Sequence, residues 1–553
     1  MSNKKLVRIC ALCFVTIKYN KKIDKELIMK KLLLLGDEAV GQGALDAGLS
    51  GAYGYPGTPS TEIVEYIQRN PEARERDVHR TWSANEKTAM EEALGMSYAG
   101  KRTIVTMKHV GLNVAADAYM NSALTGANGG VIVAVADDPS MHSSQNEQDS
   151  RFYAKFALMP AFEPSDQQEA YDMPKLAYEI SEKYNLPVML RLTTRLAHSR
   201  AGVVRSKILE ENKMHLPENK DQFMLLPSFA RKKYKHLLSI QKDLEMESEN
   251  SPFNKYIEGS DKSVGIIACG LAYNYLLENY DECNYPILKI GQYPLPRKQI
   301  NKIFDECDEI LILEEGMPLV EEMLKGFLGN PKIHGRLDGT LDRDGELNPK
   351  KVRKALGLPE LESKDIPEVV AGRPPALCVG CPHTDSYKAL TEALEEYGKG
   401  HVFSDIGCYT LGYLSPHNAI DTCVDMGASI TMAIGAADAG FFPAVATIGD
   451  STFGHSGITG LLDAVTQKAN VVIVILDNDI TAMTGMQDSQ VNGRIEQICE
   501  GLGVEKEHIK VINPLSAYHE SNVKVFKEEI AYNGVSVVIP RRPCIHVFAK
   551  KKK

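Results

Sequence analysis

One tryptophan in 553 residues, an aromatic content of 7% and a formal net charge of -10 remove the usual footprint of a nucleic-acid binder. Such proteins cluster lysine and arginine beside aromatic faces that stack on bases, whereas carboxylates are in surplus here. No apolar run reaches the roughly 20 residues of a membrane span, so neither nucleic acid nor membrane is expected as a partner. The cysteines, 11 in all, are scattered rather than spaced as a disulfide framework, which points to a reduced, cytoplasmic setting. At the start, Lys4, Lys5 and Arg8 precede Ile9–Ile17 in the manner of a signal peptide, but Lys18, Lys21 and Lys22 follow and no small-residue cleavage site appears. Met29 opens a fresh apolar run, so residues 1–28 are expected to be an extension outside the fold.

What is present is an ordinary globular composition, 43% apolar and 25% charged, on a chain long enough for several domains. Short β-branched runs recur at Thr103–Met107, Gly130–Ala136, Val188–Leu192, Val264–Ala268, Ile310–Glu314, Val445–Ile448 and Val471–Leu476. Between them, stretches such as Glu86–Ala99, Asp166–Lys183 and Gly457–Lys468 carry helical periodicity. That alternation predicts an α/β protein with parallel sheets covered by helices on both faces. Residues 201–262 and 351–375 interrupt the rhythm and read as connectors. The expected division is therefore 29–200, a smaller block at 263–350, and 376–553.

The most chemical stretch is Thr447-Ile448-Gly449-Asp450-Ser451, in which a strand ends on a carboxylate and bare backbone. A second strand ends in Leu476-Asp477-Asn478-Asp479-Ile480, which places Asp450 and Asn478 at the carboxyl ends of neighbouring parallel strands, where open sheets bind ligands. Oxygen donors of this kind suit octahedral Mg²⁺, and the helix that follows adds amide donors for phosphate. A turn with a helix cap would also explain Gly449-Asp450-Ser451 taken alone. Neither a Walker lysine nor a dinucleotide fingerprint accompanies it.

The pair Gly449-Asp450-Ser451 and Asp477-Asn478 resembles the signature of thiamine diphosphate enzymes, with Ser451 in place of the usual glycine. Ser83-Ala84-Asn85-Glu86 and Tyr55-Pro56-Gly57-Thr58-Pro59-Ser60-Thr61 resemble the pyrimidine domain of two-oxoacid:ferredoxin oxidoreductases. Lys108-His109-Val110-Gly111, Asp137-Asp138-Pro139, His142–Glu147, Asp405–Gly412 and Arg541-Arg542-Pro543-Cys544 resemble, within that family, the α subunits that act on indolepyruvate. The resemblance covers roughly 30–548 and implies a pyrimidine-binding domain, a transketolase-C-like domain and a diphosphate domain. It implies that Glu86 activates the cofactor and that Asp450, Asn478 and the backbone of Ile480 hold Mg²⁺. Gly449, Ser451 and Thr484 would frame the diphosphate, and Thr58 would lie by the cofactor and the substrate carboxylate.

His109 is the candidate for a group near the substrate, against the alternative of a solvated loop after a strand end. The reaction implied is oxidative decarboxylation of an aryl pyruvate to its coenzyme A thioester, with electrons passed to ferredoxin and a β subunit completing a heteromer. Members of that family carry a further ferredoxin-like domain with two cysteine-rich runs, which this sequence does not contain. A non-oxidative decarboxylase, or a subunit that relies on a partner for electron transfer, therefore stands beside the main reading. Cys378, Cys381 and Cys408 are candidate iron–sulfur ligands, with Cys423 or Cys499 as a fourth. A turn packed over the cofactor cleft, with Cys408 lining that cleft, is the competing view.

Overall fold

The computed structural model describes residues 31–219, 221–360, 366–372 and 375–550. The expected extension 1–28 lies outside them. The chain divides into two compact units, Met1–Glu362 and Ser363–Lys553.

The first unit is built on a seven-stranded sheet. Its order is Gln292–Tyr293, Ala161–Phe162, Val188–Thr193, Val131–Asp137, Thr103–Lys108, Gly51–Gly54 and His79–Trp82. All neighbours are parallel except Gln292–Tyr293, which runs antiparallel to Ala161–Phe162. Val131–Asp137 is buried along its whole length, which is why it reads as a continuous apolar run rather than an alternating one.

A five-stranded sheet follows in the order Ile333–His334, Glu309–Leu313, Val264–Cys269, Ile287–Ile290 and Lys255–Ile257. The expected separate block 263–350 is thus part of the first unit, because Gln292–Tyr293 extends the first sheet. Buried ionic contacts reinforce that join. Arg151, held by Asp149 at 2.6 Å, reaches Glu314 at 3.1 Å, and Arg191, held by Asp137 at 2.7 Å and by Glu163, donates to the Glu315 carbonyl at 3.0 Å.

The stretch 201–262, expected as a connector, carries helices Pro227–Ser239 and Gln241–Glu249 and strand Lys255–Ile257, while Arg200–Val204 pairs antiparallel with Lys31–Leu35. Its helices bury only Leu237, Leu244 and Ser248, with Ile240 at their junction, so their apolar periodicity is thin in sequence.

The second unit holds a five-stranded, wholly parallel sheet ordered Val402–Ser404, Val445–Gly449, Val471–Leu476, Val535–Pro540 and Ile509–Ile512. Alternate side chains feed two cores: Ile473 and Ile475 pack with Ile430 and Leu461, while Val472, Val474 and Leu476 pack with Leu390 and Phe526. Each fully buried Val, Ile or Leu contributes about 1.5–3 kcal/mol of transfer free energy. A rigid platform therefore stands under the loops at the carboxyl ends of its strands.

Candidate functional site

In the second unit, register pairs Gly449 with Leu476, so Asp450 and Asp477-Asn478 leave adjacent strands side by side. Gly449 is required there by a close approach: a Cβ on it would meet the Tyr409 ring at 2.6 Å. The chain then winds through Asp450–Thr452 and a widened π-type turn at Phe453–Gly457 into helix Ile458–Gln467. Such widened turns occur frequently at functional sites.

Asp450 is 2% exposed and its Oδ2 has no hydrogen-bond partner. Burial, then the neighbouring Asp477 carboxylate, pushes its carboxyl up to about 8. Asp477 Oδ2 pairs with Arg541 at 2.6 Å, but its buried Oδ1 is also unpartnered. Two buried carboxylate oxygens without donors form the environment a cation would satisfy.

Asn478 is held from both ends. Its Oδ1 accepts the Ile480 N–H at 3.1 Å, and its Nδ2 donates to His383 Nε2 at 3.2 Å. Burial pushes His383 down to about 4, so the ring is neutral and able to accept. Ser451 Oγ lies 2.7 Å from Thr481 Oγ1, tying the two strand-end loops together, and Thr484 Oγ1 donates to Gln487 Oε1 at 2.9 Å.

The cysteines converge from three segments. Cys381 opens helix Pro382–Ala393, Cys408 starts the turn Cys408–Tyr413, and Cys544 follows strand Val535–Pro540. Burial pushes the Cys408 thiol up to about 12, and Cys381, Cys544 and Cys378 each raise it further. Cys378 Sγ is 3.5 Å from His546 Nε2, and the Cys544 N–H donates to the Asn478 carbonyl at 3.1 Å. Neither expected fourth ligand joins them. Cys499 lies in the apolar core of the sheet, and Cys423 points to the Asp405 carbonyl at 3.8 Å.

A tetrahedral thiolate zinc site needs sulfurs about 3.8 Å apart, given Zn–S bonds of about 2.3 Å. Among the described residues no three of these thiols gather within 4.8 Å of one another; the group that does is Asp37, Glu62 and His198.

In the first unit, Glu86 begins helix Glu86–Tyr98, capped by Asn85, whose side chain accepts the Thr88 N–H at 2.9 Å. Glu86 is 5% exposed and lies over Gly111, where a Cβ would meet its Oε1 at 2.5 Å. Burial lowers the Lys108 ammonium, while the Asp138 and Glu86 carboxylates oppose that shift. Lys108 Nζ donates to the Ser143 carbonyl at 3.1 Å, and Ser143 Oγ donates to the Thr58 carbonyl at 3.3 Å. Thr58, Lys108, Asp138 and Ser143 are thereby gathered at the strand ends.

His109 does not sit on a solvated loop. It opens helix His109–Thr125 directly from the strand, is 1% exposed, and places Nε2 at 3.1 Å from Asn146 Oδ1. Sequence reasoning also missed His383, Asp405 and Tyr409. Buried Asp405 accepts from the Tyr409 hydroxyl and from Ser429 Oγ at 2.6 Å, which fixes the turn bearing Cys408. The run Asp405–Gly412 was visible, but not which of its members touch.

Two family models match the chain: "Pyruvate flavodoxin/ferredoxin oxidoreductase, thiamine diP-bdg" over residues 42–249, and "Thiamine pyrophosphate enzyme, C-terminal TPP binding domain" over 405–538. Indolepyruvate oxidoreductase subunit IorA of Archaeoglobus fulgidus is 39% identical over 554 residues, covering 95% of this chain and 88% of that protein. The chain belongs to the indolepyruvate oxidoreductase α-subunit family. The subunit of the same name from Pyrococcus abyssi is 40% identical over 93% of this chain and 86% of its own. A more distant relative, 2-oxoglutarate synthase subunit KorA of Methanocaldococcus jannaschii, is 26% identical over 55% of this chain and 76% of its own. Family membership makes the chain a thiamine diphosphate-dependent 2-oxoacid:ferredoxin oxidoreductase. Among the described residues, no helix is long and apolar enough to cross a membrane.

Proposed function

We propose that the chain is the thiamine-binding subunit of an enzyme that converts an aryl pyruvate such as indolepyruvate, with coenzyme A, to the aryl-acetyl thioester and CO₂. Two electrons leave singly to two ferredoxins and one proton is released, and a β subunit completes the heteromer in the cytoplasm. When bound, thiamine diphosphate supplies the electron sink for breaking the bond to the carboxylate.

This chain's residues do the rest. Asp450, Asn478 and the Ile480 carbonyl hold Mg²⁺, and the unpartnered Asp450 Oδ2 supports that assignment. Gly449 gives the diphosphate close access to backbone, with Ser451 and Thr484 beside it. Glu86, shielded from water, would hold a proton for the ring nitrogen of the aminopyrimidine. Thr58 and Lys108 receive the substrate carboxylate, and His109 positions the loop through Asn146. Cys378, Cys381, Cys408 and Cys544 would hold an iron–sulfur cluster, which would supply one-electron acceptance.

The observation that carries this reading is the bond from the Cys544 N–H to the Asn478 carbonyl, which anchors the thiol group to the metal loop. The test is anaerobic purification with the β subunit and measurement of thiamine diphosphate, iron and coenzyme A-dependent oxidation together. Glu86→Gln is expected to abolish turnover while cofactor content holds. Cys544→Ser should lose iron, and Cys499→Ser should keep it. Aldehyde release with no electron acceptor would replace the proposal with a non-oxidative decarboxylase.

A further inference from the structure

Away from these half-sites, three side chains of the first unit meet with no role in the reaction above. Asp37 is the second residue of helix Gly36–Asp46, Glu62 the second of helix Thr61–Arg69, and His198 the last of helix Thr194–His198. Their ligand atoms all lie within 4.8 Å of one another, and His198 Nε2 is 3.5 Å from Glu62 Oε2.

Asp37 makes this more than a cluster of acids. It is 0% exposed, and neither carboxylate oxygen has a hydrogen-bond partner. Its neighbour Glu38 absorbs the local donors instead, accepting the Leu35 N–H at 2.9 Å and pairing with Arg200 at 2.9 Å. Burial, with Glu62 and Glu38 nearby, drives the Asp37 carboxyl well above the usual carboxylate range. A chain does not ordinarily bury a carboxylate with both oxygens idle, because nothing replaces its lost hydration.

We propose that Asp37, Glu62 and His198 bind a divalent cation of the zinc type, with a fourth position open to water. Two carboxylate oxygens and an imidazole nitrogen suit such a cation, whereas Mg²⁺ and Ca²⁺ favour all-oxygen shells. Bonds of about 2.1 Å put tetrahedral ligands about 3.4 Å apart, so a small side-chain contraction from the present spacing completes the shell. His198, the exposed member, gives the ion its entry from solvent.

The site would also brace the substrate end of the sheet. Glu62 follows Thr61, whose Oγ1 accepts the Gly57 N–H at 3.0 Å and so closes the segment that carries Thr58.

The test is a Co²⁺ titration of the full chain without thiamine diphosphate, under anaerobic conditions. Wild type is expected to take up one equivalent with d–d absorption and no thiolate charge-transfer band, which separates it from any ion on the cysteines. Asp37→Asn and His198→Gln should each weaken that equivalent at least 100-fold, and Zn²⁺ should raise the thermal midpoint of wild type but of neither variant. Unchanged uptake in both variants, or no thiolate-free cobalt in wild type, overturns the proposal. If Asp37→Asn fails to fold, the exposed His198→Gln decides alone. Because no step requires cofactor or turnover, this site can fail while the proposed reaction stands.

Discussion

Buried carboxylates are handled in two ways in this molecule. In the first, Asp137, Asp149 and Glu163 lie deep in the structure, and each meets an arginine: Arg191 pairs with all three, and Arg151 with Asp149 and Glu163. In the second, Asp450 is as deeply buried, but its Oδ2 meets no donor and its closest charged influence is another carboxylate. Paired charge of the first kind holds a sheet and its neighbour in one register, whereas unpaired charge of the second kind waits for a ligand. The difference marks structure against function without reference to any motif.

That contrast can be broken most severely at Arg191. Arg191→Met leaves Asp137 and Glu163 short of a cation, and removing one partner of a buried network costs about 3–5 kcal/mol. The expected outcome is a large fall in thermal midpoint or no soluble protein, measured by calorimetry.

The next effect is pH-dependent. Burial holds the Glu315 carboxyl up at about 7, so the folded chain keeps a proton that the unfolded chain gives up near 4.5. Stability should therefore fall as pH rises through that window, by about 3 kcal/mol, and level off above it. Glu314 and Asp405 are held up to about 7 as well, so Glu315→Gln should remove only its own share of the slope, raising stability at pH 8 and leaving it nearly unchanged at pH 4; denaturant melts at the two values check this.

Asp450→Asn probes the other side. Cofactor retention and turnover should fall at least about 100-fold, as expected for loss of a metal ligand. The thermal midpoint without cofactor should hold or rise, because a buried carboxyl with an unpartnered oxygen is gone. A fall like that of Arg191→Met would erase the distinction between the two kinds of buried carboxylate.

Much of this was legible in sequence. Every apolar run singled out is a strand, because strands buried on both faces must be apolar throughout. Asp450 and Asn478 were placed by strand-end logic alone. Contacts between segments distant in the chain were not legible. Cys544 meets the Asn478 carbonyl because Val535–Pro540 lies next to Val471–Leu476, an order that no spacing reveals. His383 was seen as the residue after Cys381-Pro382, with nothing to say that its ring would meet Asn478. Arg191 interrupts Val188-Met189-Leu190-Arg191-Leu192 as an apparent blemish, and only its carboxylate partners explain a buried guanidinium. The helices in 201–262 were missed because three buried apolar residues are too few for a pattern.

The Tyr409 ring lies against Gly449, and its hydroxyl donates to Asp405 at the foot of the turn that carries Cys408. It thus ties the strand end at Gly449 to the turn that carries Cys408. In the proposed enzyme that turn would stand at one end of the electrons' exit, where tunnelling rates decay exponentially with separation. A turn fixed at both ends would keep that separation constant.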